Sequence, residues 1–127
     1  MVDVLATTEL AAIERTLQTY FDGLYDCDTA QLGEAFHPFA HLYSVNADGH
    51  AVDLPLADWF AMVASRVGNS QGERSDRIVT LDISGPNTAF AKVHCQLPPR
   101  YFTDYLTLLK VHGTWRIIAK AFHTDVR

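Results

Sequence analysis

The second half of the chain constrains its fold most. From Arg77 onward four extended segments follow one another, residues 77–84, 88–97, 101–111 and 114–123, parted only by Gly85-Pro86-Asn87, Pro98-Pro99-Arg100 and His112-Gly113. β-Branched and aromatic residues fill the segments, while Gly, Pro and Asn mark the breaks. Connections this short reach only an adjacent antiparallel neighbour, so the pattern predicts a meander. In the first segment Val79, Leu81 and Ile83 alternate with Thr80, Asp82 and Ser84, which gives one buried and one wet face. The third segment differs, because Phe102, Tyr105, Leu106, Leu108, Leu109 and Val111 place apolar groups on both faces and require a cover on each.

The first half supplies one cover. Leu10, Ile13, Leu17, Tyr20, Phe21 and Leu24 recur at three- and four-residue steps, which predicts a helix from Thr7 to about Tyr25 with one buried stripe. Asp28-Thr29-Ala30-Gln31 resembles a capping box and opens a short second helix that ends before Pro38. Asn46-Ala47-Asp48-Gly49 joins two short apolar runs as a hairpin, with Asp-Gly able to take positive φ. Leu56, Trp59, Phe60, Val63 and Val67 mark a third helix between Pro55 and about Val67, stopped by Gly68-Asn69. No chain remains to cover the outer face of the sheet, so a second copy is expected there, forming a homodimer through the sheet.

With 127 residues the chain is expected to form a single domain over 1–127. Its hydrophobic fraction of 48% and net charge of −5, without a Lys/Arg cluster, suit a globular protein and argue against nucleic acid and anionic membranes as partners. The N-terminus lacks the basic and apolar regions of a signal peptide, and no segment has the apolar run of a membrane span, so a cytoplasmic location is expected. Cys27 and Cys95 form no CxxC unit and read as thiols. His37 and His41 are four apart, but Pro38 breaks the helix that would align them, so no metal site is expected. There is no GxGxxG, GxxxxGK[ST] or GxSxG, and no cofactor is expected.

The element order, Tyr20, Phe36-His37-Pro38, the block Phe102-Thr103-Asp104-Tyr105-Leu106 and the ending Gly113-Thr114-Trp115-Arg116-Ile117-Ile118 resemble the nuclear transport factor 2-like superfamily over nearly the whole chain. Within it, His37-Pro38, Phe102-Thr103-Asp104-Tyr105 and Lys120-Ala121-Phe122-His123 are similar to the group named "putative lumazine-binding". The resemblance implies an α+β fold of three N-terminal helices packed on a strongly curved antiparallel sheet, forming a cone with an internal cavity. Relatives use that cavity for isomerisation, cyclisation, dehydration or protein binding, so fold does not settle chemistry. One position departs: Phe39 stands where the pattern has Asp after His37-Pro38.

Two candidate sites follow from strand pairing. If His112-Gly113 is a two-residue turn and Pro98-Pro99-Arg100 a three-residue loop, Asp104 lies opposite Ala121 and His94, with His123 diagonal on the same face. Asp104, His94 and His123 would then cluster, with Asp104 as general base or holding a histidine in one tautomer. Lys92 and Gln96 share that parity, however, which would make the face wet or interfacial and leave Thr103, Tyr105, Lys120 and Phe122 to line the cavity. Lys120 there could bind a carboxylate or serve as a nucleophilic amine, or its stem could carry the ammonium out to solvent. Tyr20, Tyr43, Trp59, Phe60 and Phe122 are candidates for the wall of a ligand pocket, flat surfaces suited to a planar or polycyclic compound, or else plain core. The functions these residues support are small-molecule binding, cofactor-free isomerase, cyclase or dehydratase chemistry, and a protein-interaction module whose cavity is filled by its own side chains.

Overall fold

A helix with one apolar stripe is stable only against a complementary surface, and here a curved sheet provides it. A computed structural model describes residues 4–66 and 72–127. The elements run α1 Val4–Asp26, α2 Thr29–Ala35, β1 Phe36–Val45, β2 Ala51–Pro55, α3 Leu56–Ala64, β3 Arg77–Ser84, β4 Thr88–Leu97, β5 Arg100–Val111 and β6 Thr114–Val126. Gly68-Asn69, expected to stop the third helix, lie outside the described residues. The strands form one sheet in the order β2-β1-β6-β5-β4-β3. Every neighbouring pair is antiparallel except β1 with β6, which run parallel where the hairpin joins the meander. The result is the expected α+β cone, with three helices on the concave face.

Ile13, Leu17, Tyr20, Phe21 and Leu24 of α1 are all buried against Val93, Leu106, Leu108 and Ile117 of the sheet interior. Polar contacts set how far α1 lies along β6: Thr16 donates to the Trp115 carbonyl at 2.9 Å, and Glu9 accepts from the Trp115 indole and from Lys110 Nζ at 2.8 Å. These donors hold the Glu9 carboxyl below its ordinary value. Helix α2 begins as its sequence suggested, Asp28 accepting from the Gln31 amide at 3.2 Å. The α1–α2 corner closes through the Asp28 amide on the Gly23 carbonyl at 2.8 Å.

Three local irregularities decide which side chains face inward. Val79 is inserted between paired Ile78 and Thr80, so Ile78, Leu81 and Ile83 turn towards the core while Val79, expected inside, is 38% exposed. The β4–β5 turn consists of Pro98-Pro99 alone, because Arg100 already pairs with Leu97. His112 and Gly113 take φ of 50° and 80° and make the expected two-residue turn of the last hairpin. Five residues further on, Ile118 is extra: Leu108 pairs with Ile117 but Thr107 with Ala119. Such a bulge reverses the side-chain parity of everything beyond it. Trp115 and Ile117 point inward before it; Lys120 and Phe122 do so after it.

No helix among the described residues is long and apolar enough to cross a membrane. The close approach of α1 and α2 depends on Gly23, where an added Cβ would stand 3.0 Å from Leu32 Cγ and 3.1 Å from its backbone nitrogen. Gly23→Ala gains about 1 kcal/mol of helix propensity but overpacks the corner by about 1–3 kcal/mol. The expected net result is a lowered urea midpoint with unchanged slope; an equal or higher midpoint would show that the helix pair can separate freely.

Candidate functional site

The bulge at Ile118 brings two charges to one buried place. Lys120 and Asp104 are 3% and 0% exposed, on adjacent strands β6 and β5, with the Lys120 Nζ 3.7 Å from Asp104 Oδ2. Tyr20, three turns along α1 from Glu9, joins them: its hydroxyl accepts from Lys120 Nζ at 2.8 Å and donates to Asp104 Oδ2. Cys95, from β4, donates its thiol to the same oxygen at 3.4 Å. Asp104 Oδ1 has no hydrogen-bond donor among the described residues. Burial, reinforced by the Asp104 charge, pushes the Tyr20 hydroxyl and the Cys95 thiol well above their ordinary values, so both keep their protons.

Around the ammonium stand four rings. Its nitrogen lies 4.8 Å from the centre of Trp59, 4.9 Å from Phe122, 5.3 Å from Tyr20 and 5.6 Å from Phe102. Their electron-rich faces offset part of the cost of burying a cation. Phe36 backs the box, meeting Tyr20 edge-on at 5.3 Å and Trp59 at 5.2 Å. A cavity of about 230 Å³ opens beside Lys120, walled by Trp59, Phe102 and Phe122, with Leu24, Leu54, Met62, Val63 and Leu97 beyond and Arg66, Arg100 and Thr124 completing the lining. This lysine does not carry its ammonium to solvent.

The expected trio of Asp104, His94 and His123 does not form. Both strand pairings are one residue from the expected ones: Asp104 lies opposite Val93 and Phe122, and His94 and His123 both flank Thr103. Asp104 therefore faces the core while the histidines face away. His123 is exposed and bonds Asp125 at 3.0 Å; His94 lines a separate hollow with Arg77 and Gln96. Thr103 and Tyr105 share that outer face, and Tyr105 is 48% exposed against Phe90, so they do not line the cone with Lys120 and Phe122 as one face would require. Tyr43 is 43% exposed in an outer groove. Phe60 packs beside Trp59 at 5.9 Å without reaching the cavity. Phe39 is exposed and touches His37 rather than the site. Of the expected residues, Tyr20, Trp59, Asp104, Lys120 and Phe122 come together. Cys95, Phe102, Arg66 and Arg100 were not foreseen; the shared parity of Val93 and Cys95 was the one signal available for the thiol.

A buried ion pair is weak support for stability, because two desolvation costs oppose one attraction. Removing one partner of such a pair costs about 3–5 kcal/mol, whereas apolar replacement of both is often neutral or better. Asp104→Leu and Lys120→Met are each expected to lower stability by about that amount. The double variant is expected to come within about 1 kcal/mol of the parent, a coupling that urea denaturation of the four proteins measures. Additive losses would show that Lys120 and Asp104 are not energetically coupled.

The match to known proteins covers the whole of this architecture. The family model described as "Putative lumazine-binding" matches residues 8–123. A protein named aldolase FrzH, from Cladobotryum sp., is 23% identical over the full length of both chains. A nuclear transport factor 2-like protein of unknown function from Shewanella baltica superposes with a TM-score of 0.87 at 26% identity, covering 100% of each chain. A second such protein of unknown function, from Silicibacter pomeroyi, gives a TM-score of 0.83 at 21% identity, covering 94% of this chain and 98% of its own. With a family match over residues 8–123 and a superposable fold, the chain belongs to the "Putative lumazine-binding" family of the nuclear transport factor 2-like superfamily.

Proposed function

We propose that the chain is a small-molecule-binding domain whose cone takes a planar or polycyclic compound and presents a carbonyl of that compound to Lys120 for cofactor-free proton transfer. The observation that carries this reading is the buried ammonium, boxed by rings, at the edge of an apolar cavity. An ammonium has three donors. Tyr20 takes one, while Asp104 Oδ2 at 3.7 Å is a counter-charge beyond hydrogen-bond reach, which leaves donors for a ligand oxygen. In a dry pocket that hydrogen bond polarises a carbonyl and steadies the oxygen as charge builds on it.

Tyr20 and Asp104 supply the means to make Lys120 a base. Lys120 passes a proton to the Tyr20 oxygen while Tyr20 passes its own to Asp104 Oδ2. The ion pair becomes an amine and a carboxylic acid, with no tyrosinate formed and no change in net charge. That is the less costly exchange in an apolar interior. The amine then removes a proton from the carbon next to the carbonyl, and the restored ammonium holds the enolate oxygen. Asp104 thus acts through Tyr20 and does not touch the ligand.

The family description supports a small-molecule ligand, the flat walls of Trp59, Phe102 and Phe122 support a planar one, and the open volume argues against an interaction module closed by its own side chains. The relative named an aldolase supports carbonyl chemistry, since an aldol reaction begins with loss of a proton beside a carbonyl. Binding without turnover is the second reading, favoured by the family description. Thermal shift against lumazine and other pterins, flavins, steroids and polycyclic ketones is expected to find a binder, gaining about 2.7 kcal/mol at one hundred times its Kd. For a carbonyl-bearing binder, NMR in D2O is expected to show α-proton exchange that slows at least about 100-fold in Lys120→Met. Binding without exchange would leave a binding domain alone; silence across the panel would overturn the reading.

The outer sheet face supports a homodimer. Tyr43, Val45, Phe90 and Tyr105 are 43%, 71%, 37% and 48% exposed, apolar surface of the kind that marks association. Light scattering at micromolar concentration is expected to give twice the monomer mass, and Tyr105→Glu to shift it to the monomer. A monomeric parent would refute this assembly.

A further inference from the structure

The cavity is cationic although the protein is acidic. The chain carries a formal net charge of −5, yet the charged residues lining the cavity are Lys120, Arg66 and Arg100, and no carboxylate joins them among the described residues. Lys120, at the base, already has Asp104 for a counter-charge. The two arginines are in a different position. Neither forms an ion pair with any described carboxylate, whereas Arg74, elsewhere on the surface, takes Asp22 and Asp76 together.

Two separate elements deliver the arginines to one rim. Arg66 follows α3, its amide bonded to the Val63 carbonyl at 2.9 Å, and its side chain is half-buried. Arg100 opens β5, in register with Leu97 and Val126, and is exposed. A cation near a helix C-terminus is favourable in itself, which accounts for an arginine after α3 but not for its facing the cavity, nor for Arg100. Between rim and base the wall is apolar: Leu24, Leu54, Val63, Leu97, Phe102 and Phe122. A ligand complementary to this gradient has an apolar body between two polar ends, one carbonyl oxygen towards Lys120 and one anionic group at the mouth. Guanidinium groups match a planar carboxylate through paired N–H donors.

We infer that the physiological ligand is an amphiphilic carboxylate, its ring system in the cone and its carboxylate held at the rim by Arg66 and Arg100. This rests on the proposal that the cone is a small-molecule site, and names the class of compound that enters it. A neutral ligand of the same shape forgoes the charged hydrogen bonds at the rim and binds correspondingly less tightly.

The test uses a matched pair of probes, 2-naphthoate and 2-naphthamide, titrated calorimetrically at pH 7.5 into the parent, Arg66→Met/Arg100→Met and Lys120→Met proteins. The parent is expected to favour naphthoate by about tenfold or more, the equivalent of one charged hydrogen bond. The preference is expected to vanish in the double arginine variant and to persist in Lys120→Met. Because both arginines lie at the surface end of the cavity, circular dichroism is expected to show the double variant folded; were it unfolded, a weakened preference in the single Arg100→Met protein reads the same point, and an undiminished one overturns the inference. Equal binding of the two probes by the parent overturns the carboxylate inference while leaving the cone a binding site. A preference lost in Lys120→Met but kept in the arginine variants overturns it too, since the anion then sits at the base. Failure of both probes to bind the parent overturns the inference together with the reading beneath it.

Discussion

A single inserted residue in the last strand, Ile118, sets what the interior of this protein contains. Strand side chains alternate, so without the insertion Ala119 and Ala121 would follow Ile117 inward and Lys120 would stand in solvent. With it, β6 turns Lys120 and Phe122 towards the cone, directly beside Asp104 of β5. A lysine at that depth is tolerable only if its charge is met at once. Asp104 supplies the counter-charge, Tyr20 the hydrogen bond between them, and the surrounding rings a favourable electrostatic field.

The rest of the fold holds these groups to their positions. Tyr20 can bridge the pair only if α1 lies at one height along β6, and Glu9 and Thr16 set that height by gripping Trp115 on the near side of the bulge. The corner at Gly23 brings α2 close to α1, and Leu32 and Ala35 of α2 lead into Phe36, whose ring supports both Tyr20 and Trp59. Contacts far from the cavity thus control the direction of three hydrogen-bonding groups inside it. Such rigidity of the supporting elements is what a preorganised polar site requires.

Stability alone gives no reason for the arrangement. The interior already buries Ile13, Leu17, Leu106, Leu108 and Ile117 completely, and two apolar residues in place of Lys120 and Asp104 would extend that core without desolvating charge. Polar groups retained at such cost, with one carboxylate oxygen unpartnered among the described residues, are what a proposal of function at the end of the cavity has to account for. The two rim arginines continue the same polarity towards solvent.

Local patterns along the chain determined the elements. The three-and-four spacing of α1, the Asp28 cap, the Asp-Gly hairpin and the short turns of the meander each report an interaction between near neighbours, and most elements lie where their pattern indicated, with ends shifted by a few residues; β1 instead begins at Phe36, well before the apolar run at Leu42. Tyr20, Trp59, Lys120 and Phe122 were recognisable as cavity candidates by residue type, and Asp104 as a candidate general base. What joins them was not legible. Pairing between strands was read through Pro98-Pro99-Arg100 and past Ile118 as if neither held an irregularity, and a shift of one residue sends a side chain to the opposite face; the expected partners His94 and His123 consequently lie outside. A bulge leaves no mark in a run without Gly or Pro such as Ile117-Ile118-Ala119, because it arises from the fit of the whole strand against its neighbours. The sequence by itself thus determined which elements form and which residue types are available to the cone, while only the tertiary structure decided that Lys120, Tyr20 and Asp104 meet, since their meeting depends on strand register and helix height, both set by contacts between residues distant in the chain.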